Sequence, residues 1–342
     1  MLFVTNRRVL GGRRSQAGRD IAFDLADGEP GASVYFCHRA GPGSYTEVLS
    51  APFFGRLRRS PARQLLLYLH GYNCQPEAPV LPDAERLQRL CDELSPGLVE
   101  VVPLVWPCDG DFGVVLDYYD DQLSADASGL AFARVLAKFL AWRDRLGRDE
   151  EACLKHVNVL AHSMGNRVLR AALASWTHDY GPAPAVFRNV FMVAADVAND
   201  CLAPDGDGAA IPDAARNVVV YHAADDLALR SSKVANVRNK LVRRRLGHTG
   251  PAGWPGRCPE NVAAVDCDAF NCRYDRLGHT YFLAGHDGRP APALRHMVET
   301  MLTGRVACAA PEGGPGRIVL PDGWTPRRGA APSPPSPEAC AA

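Results

Sequence analysis

Short apolar runs alternate with longer amphipathic segments over residues 61–310 of the chain. Each apolar run is hydrophobic along most of its length, which is typical of strands buried on both faces of a sheet. These runs occupy residues 64–71, 98–106, 156–161, 186–195 and 217–223. Helical spacing of apolar residues marks residues 82–94, 124–147 and 166–176. The alternation predicts an α/β fold with a mostly parallel central sheet and helices on both of its faces.

The two ends of the chain have a different pattern. Residues 1–60 contain short β-like runs separated by Gly-, Pro- and Arg-rich breaks, which predicts N-terminal antiparallel strands that extend the same domain. Residues 311–342 are rich in Pro, Gly and Ala and have few apolar side chains with which to offset the entropy of ordering. We therefore expect a largely disordered C-terminal tail after the main domain, which spans residues 61–310. Within that tail only residues 317–320 have the character of a strand that docks.

Charge and composition exclude several classes of protein. The 38 basic residues equal the 38 acidic residues, so bulk electrostatic capture of nucleic acid is not expected. The chain does not open on a secretion signal, and no stretch is apolar enough to span a membrane. The eleven cysteines are scattered, and the spacings of Cys258, Cys267 and Cys272 match no common zinc site. We expect a cytoplasmic protein with free thiols and without a metal or organic cofactor.

A serine lies where the predicted strand 156–161 turns into a helix. In "AHSMG", Ser163 has Ala161 two positions before it and Gly165 two positions after it. A sharp strand-to-helix turn needs small residues there, usually glycine at both positions, because they pack against neighbouring elements. Such a turn presents the serine hydroxyl above the sheet and directs the Met164 N–H at a developing oxyanion. A helix N-cap is the simpler explanation of the serine, but it does not require small flanking residues.

Two further strands end in polar residues. The strand 64–71 runs into "HGYN", where the backbone N–H of Tyr72 is the candidate second oxyanion donor and His70 is expected to orient the loop. Asp225 and Asp226 follow the strand 217–223. A carboxylate at this point can hold the tautomer of a catalytic histidine, although either aspartate can instead cap the next helix.

The choice of acid and base stays open on these grounds alone. Asp196, after the preceding strand, is the rival acid. The later histidines are His248, His279, His286 and His296. His279 follows a glycine in a loop ahead of the apolar "TYFL", which suits a side chain presented to the edge of the sheet. The chain order Ser, Asp, His agrees with that of α/β hydrolases.

Together, "HGYN", "WP", "AHSMGNRVL", "YHAADDLAL" and "LGHTYF" resemble the bacterial α/β-hydrolase family catalogued as domain of unknown function 900, over about residues 64–285. The resemblance implies an α/β-hydrolase fold with Ser163 as nucleophile, Asp226 as acid and His279 as base. The segment "WPCDG" departs from the family pattern, because Cys108 stands where the family usually has serine.

The expected activity is that of a serine hydrolase of the esterase-lipase type. It would cleave an ester or related acyl bond of a small molecule through a Ser-His-Asp triad and an acyl-enzyme. The alternative is a non-catalytic member of the fold that binds an acyl ligand or a protein partner. The basic segment 233–247 is compatible with membrane-surface contact, but a solvated outer helix explains it more simply. The natural substrate and the oligomeric state do not follow from the sequence.

Overall fold

The structure is a computed structural model of the 342-residue chain. It describes residues 1–12, 14–108, 116–149, 153, 155–229, 244–307 and 317–326. Its strands are β1 (Leu2–Thr5), β2 (Val9–Leu10), β3 (Ala22–Phe23), β4 (Tyr35–Gly41), β5 (Ser44–Glu47), β6 (Gln64–Leu69), β7 (Val99–Val105), β8 (His156–His162), β9 (Phe187–Val193), β10 (Ala215–His222), β11 (Val262–Asp266) and β12 (Arg317–Val319). Its helices are α1 (Ser50–Arg59), α2 (Val80–Leu94), α3 (Leu116–Asp149), α4 (Gly165–Tyr180), α5 (Ala210–Asp213), α6 (Leu246–Thr249), α7 (Asn271–Tyr274) and α8 (Pro292–Thr303).

One ten-stranded sheet runs through the described chain in the order β12-β11-β10-β9-β8-β6-β7-β1-β4-β5. The strands from β12 to β1 pair in parallel, and β4 and β5 extend the sheet antiparallel. β1 joins the N-terminal strands to the parallel part through the pair Val4↔Leu104. The predicted mostly parallel sheet with antiparallel N-terminal strands is confirmed.

Alternate residues of the parallel strands enter two different cores. Leu66, Leu160 and Phe191 pack on one face together with residues of α2 and α8. Their neighbours Leu65 and Val159 pack on the opposite face with residues of α1, α3 and α4. Because successive side chains of a strand point to opposite faces, these strands are apolar throughout and the sheet is buried on both sides. The prediction of helices on both faces is confirmed.

Several helices differ from the sequence-based expectation. Helix α1 lies in the N-terminal region, for which the pattern predicted strands and breaks only. Its buried face consists of Phe53, Phe54 and Leu57, and Phe54 contacts Trp142 of α3 at a ring distance of 5.5 Å. The spacing of three apolar residues across one turn is too short a pattern to identify a helix of ten residues. Helix α3 also begins eight residues earlier than expected and continues past Gly147.

Part of the C-terminal segment belongs to the sheet. Strand β12 pairs in parallel with β11, and both Ile318 and Leu320 are buried. The run 317–320 therefore docks, while the rest of the predicted tail, residues 311–316 and 327–342, lies outside the described residues. Most of the basic segment 233–247, namely residues 233–243, also lies outside them. No helix in the described ranges is long and apolar enough to cross a membrane.

A row of amide side chains, three of them buried and Asn217 half-buried, links four strands near their amino-terminal ends. Asn158 donates to Gln64 at 3.0 Å, Asn189 to Asn158 at 2.7 Å, and Asn217 to Asn189 at 2.8 Å. Each of these hydrogen bonds forms only when neighbouring strands are in register. The row therefore fixes the alignment of β6, β8, β9 and β10, and three of these strands lead into the site at their other end.

Candidate active site

Ser163 lies on a strained turn between β8 and α4. Its φ is +52°, a left-handed value that few residues other than glycine adopt. Its N–H donates to Val193 O at 2.9 Å, and its carbonyl accepts the N–H of Asp196 at 3.2 Å. Asn166 donates its side-chain amide to the carbonyls of Ala161 and Ser163. These hydrogen bonds hold the backbone in the strained conformation, which is a feature of functional sites.

Close packing requires a small residue at Gly165, two positions after Ser163. A Cβ atom at Gly165 would lie 2.5 Å from Leu69 O and 2.6 Å from His70 O, well inside van der Waals contact. Ala161, on the other side, is fully buried. The turn therefore has the packing that distinguishes a nucleophile elbow from an ordinary helix cap.

Asp226 and His279 form a hydrogen-bonded pair. His279 Nδ1 lies 2.7 Å from Asp226 Oδ2, and the carboxyl group is fully buried. The other carboxyl oxygen accepts the N–H of Leu229 at 2.9 Å. A carboxylate only accepts hydrogen bonds, so it assigns the proton of neutral His279 to Nδ1 and leaves a lone pair on Nε2. This tautomer is the one that a general base needs.

The loop that carries His279 is shaped by two side chains. Asp275 Oδ2 accepts the N–H groups of His279 and Thr280 at 2.8 and 3.0 Å. Asn271 donates to Gly278 O at 3.3 Å, and Gly278 adopts a positive φ of 65°. Sequence reasoning missed both Asp275 and Asn271, because residues that support a loop show no periodicity.

His162, the last residue of β8, lies between Ser163, the candidate nucleophile, and His279, the candidate base. The ring of His162 lies 4.8 Å from the ring of His279, and His162 directly precedes Ser163. Within the described chain, no hydrogen bond joins the Ser163 hydroxyl to His279. Such hydrogen bonds are commonly long in unliganded enzymes and tighten when substrate binds.

The two candidate oxyanion donors, the N–H groups of Met164 and Tyr72, belong to segments that adjoin Ser163. The Met164 N–H, just before the first residue of α4, donates no hydrogen bond to any residue that the structure describes. Tyr72 follows Gly71, where an added Cβ would lie only 3.3 Å from Ser163 Cβ. The loop of Tyr72 therefore runs directly against the serine, and the Tyr72 ring packs on Tyr118 at 5.7 Å.

His70 is a buried element of this loop. It stacks on Trp106 at 5.1 Å, accepts the Trp106 N–H on Nε2 at 3.2 Å and donates from Nδ1 to Gly71 O at 2.7 Å. The Trp106 indole N–H donates to His70 O at 3.0 Å. Burial lowers the pKa of His70 to about 3, so the ring is neutral near pH 7. Both ring nitrogens are engaged, which agrees with the expected loop-orienting role and not with that of a base.

The rival acids contact other groups. Asp196 accepts the Tyr118 hydroxyl at 2.6 Å and forms an ion pair with Arg245 at 3.0 Å. Asp225 accepts hydrogen bonds from Asn271 and from the Cys272 thiol. Of the three aspartates Asp196, Asp225 and Asp226, it is Asp226 whose carboxylate contacts the His279 ring.

The rival histidines lie away from this pair. His296 is buried in α8, where Nδ1 bonds to the Tyr221 hydroxyl and Nε2 to Ala307 O, both at 2.7 Å. Burial lowers the pKa of His296 to about 4. His286 is exposed in a turn, and His248 lies in α6.

Cys108, the departure from the family pattern, is fully buried beside the loop of Tyr72. Its thiol lies 3.9 Å from Gly71 O, and burial raises its pKa well above the ordinary value. A thiol of this kind is unreactive near neutral pH. Among the described residues, no group of three or more His, Cys, Asp or Glu side chains is placed to hold a metal ion.

Residues 47–287 match the family described as "Alpha/beta hydrolase of unknown function (DUF900)". The crystal structure of esterase PE8 is also similar, at 14% identity over 53% of this chain and 80% of that chain, with a TM-score of 0.29. No curated protein matches the chain.

Proposed function

The chain belongs to the DUF900 family of α/β hydrolases, and from that premise we propose that it is a serine hydrolase that cleaves an ester or related acyl bond. One observation carries the proposal: the hydrogen-bonded pair of buried Asp226 and half-buried His279 lies beside the strained turn of Ser163. Nucleophile, base and orienting acid are the three parts that acyl transfer by a serine requires. A small-molecule acyl ester is the proposed substrate class.

In the first half of the proposed reaction, His279 Nε2 accepts the proton of the Ser163 hydroxyl as the oxygen attacks the substrate carbonyl. Asp226, held at Nδ1, stabilises the imidazolium that forms. The backbone N–H groups of Met164 and Tyr72 stabilise the negative charge on the carbonyl oxygen. The imidazolium then donates its proton to the leaving group, and the acyl group stays on Ser163.

In the second half, His279 removes a proton from water, which attacks the acyl-enzyme. The same N–H groups hold the second oxyanion, and the proton returns to Ser163 as the acid is released. The residues named here need no metal or organic cofactor for any step. Buried free thiols such as Cys37 and Cys91 are compatible with the cytoplasm, which we propose as the location.

Kinetics with short p-nitrophenyl esters test this proposal. Ser163→Ala should lower kcat by about 10⁴-fold or more, as in other triads, because no other group replaces the nucleophile. Circular dichroism and the melting temperature verify that the variant is folded. Full esterase activity in a folded Ser163→Ala protein would contradict the proposal, and an inactive wild type that binds acyl ligands would favour the non-catalytic alternative.

A further inference from the structure

His162 is a second histidine in direct contact with His279, and the reaction outlined above does not use it. Its side chain is buried, and its ring lies 4.8 Å from that of His279 and 4.9 Å from that of Phe282. His162 Nε2 lies 3.3 Å from the backbone oxygen of His279. The residue therefore contacts both the ring and the main chain of the proposed base.

The hydrogen-bond partner determines the tautomer of His162. A carbonyl oxygen only accepts hydrogen bonds, so Nε2 of His162 carries the proton and donates it to His279 O. Burial is the largest cause that lowers the pKa of His162 well below its ordinary value; the neighbouring His279 ring lowers it further, and the hydrogen bond to the His279 carbonyl opposes this shift in part. His162 consequently stays neutral when His279 becomes charged, and it keeps its single ring proton on the donating nitrogen.

Three contacts together fix the position of His279. Asp275 accepts its backbone N–H, Asp226 holds Nδ1, and His162 donates to its carbonyl. Of these three partners, His162 is the one that belongs to the strand carrying the nucleophile, since Ser163 is the next residue. A shift of the base relative to the serine must therefore break or stretch the contact with His162.

We infer that His162 is a positioning residue, which sets the separation of His279 from Ser163 through its hydrogen bond to the His279 carbonyl. The inference rests on the proposed function, in which His279 is the base. His162 takes no proton and does not contact the reacting atoms. Its effect is geometric, because the efficiency of proton transfer falls steeply when reacting groups are misplaced by about 1 Å.

Two substitutions at His162 distinguish the effect of its hydrogen bond on kcat from the effect of its ring size. His162→Phe keeps a buried ring but removes the N–H, whereas His162→Gln keeps an N–H donor at similar reach. We expect kcat for a p-nitrophenyl ester to fall roughly ten- to a hundredfold in His162→Phe, with KM changed less than about twofold. His162→Gln should recover kcat to within about fivefold of wild type. The matched control is His156→Phe, at the exposed start of the same strand, which should leave kcat unchanged.

The two variants also show what would overturn the inference. Wild-type kcat in His162→Phe, or equal losses in His162→Phe and His162→Gln, contradicts a role for the hydrogen bond. A loss confined to KM contradicts it as well, since a positioning residue for the base acts on the chemical step.

A measurement without catalysis distinguishes this inference from the proposed function. In ¹⁵N-histidine NMR spectra, His162 should remain the neutral Nε2–H tautomer from roughly pH 5 to pH 8. Charging of His162 within that range, or an Nδ1–H tautomer, would overturn the inference. If Ser163→Ala retains esterase activity while His162 keeps this signature, the proposed function fails and the hydrogen-bonded arrangement of the two histidines stands.

Discussion

His279 Nδ1 lies 2.7 Å from Asp226 Oδ2, and the Asp226 carboxyl group is fully buried. The second oxygen of Asp226 is held by the N–H of Leu229, so the carboxylate has a fixed orientation. A buried carboxylate with this geometry can stabilise the positive charge that forms on the histidine ring. The pair therefore connects the end of β10 to the loop of His279, and its chemistry can be tested directly.

Asp226→Asn should reduce kcat by about 10³–10⁴-fold, because an amide can donate to Nδ1 and stabilise the wrong tautomer of His279. Steady-state kinetics with a p-nitrophenyl ester measure the loss. The matched control is Asp225→Asn, which replaces the neighbouring carboxylate by an amide in the same way. The Asp225 carboxylate bonds to Asn271 and not to the His279 ring. The control should stay within roughly threefold of wild type, and equal losses in both variants would contradict the assignment of Asp226.

Gly165→Ala should destabilise the turn, since the added methyl group would lie 2.5 Å from Leu69 O, a backbone atom that has little freedom to move. We expect the free energy of unfolding to fall by about 1–3 kcal/mol, with loss of esterase activity. Urea unfolding measures the first quantity. The control is Gly12→Ala, where an added Cβ meets nothing within 4 Å. It should change neither the free energy of unfolding nor the esterase activity. A stable, active Gly165→Ala variant would show that the turn can relax.

Acidification should weaken the fold through its buried histidines. Burial lowers the pKa of His70 to about 3 and that of His296 to about 4. Below the unfolded-state pKa of about 6.5, the unfolded chain binds protons that the folded state excludes, so stability falls as the pH drops. The stability that neutral His70 and His296 contribute is fully present above the unfolded-state pKa. It is lost progressively as the pH falls toward the folded-state pKa of each histidine.

Denaturant unfolding at several pH values between about 7.5 and 5 measures this dependence. Below the unfolded-state pKa, His296→Gln should reduce the slope of the free energy of unfolding against pH by up to about 1.4 kcal/mol per pH unit. The reason is that the variant lacks one histidine that binds a proton only in the unfolded chain. The same variant should leave the dependence above that pKa unchanged. An identical slope in both proteins would show that His296 binds its proton equally well in the folded and unfolded states, which contradicts a lowered pKa.

The strands and the serine turn were predictable because they have strong local signals. A strand that is buried on both faces is apolar throughout, and the Ser163 turn needs a small residue at Gly165 for the packing reason that the structure shows. The pairing of Asp226 with His279 followed from chain order and from the family resemblance, and the structure places the two side chains in contact.

Features that depend on long-range contacts were not predictable from the chain alone. Asp275 supports His279 through backbone N–H groups, which leave no trace in a pattern of side chains. In the sequence, His162 is part of the motif around Ser163. Its contact with His279, 117 positions later in the chain, becomes visible only in the structure. The strand character of residues 317–320 was visible in the sequence, but the pairing of that segment with β11 was not. In each case the partner is selected by the fold, and the local sequence does not identify it.

Intact-mass spectrometry after reaction with a fluorophosphonate probe tests whether Ser163 is an activated nucleophile. Such probes bond covalently to a serine activated by a neighbouring base. We predict a single adduct on the wild-type protein, which peptide sequencing maps to Ser163. The adduct should be absent in Ser163→Ala and should form much more slowly in Asp226→Asn. An adduct at a different serine, or a folded wild-type protein that forms none, would contradict it.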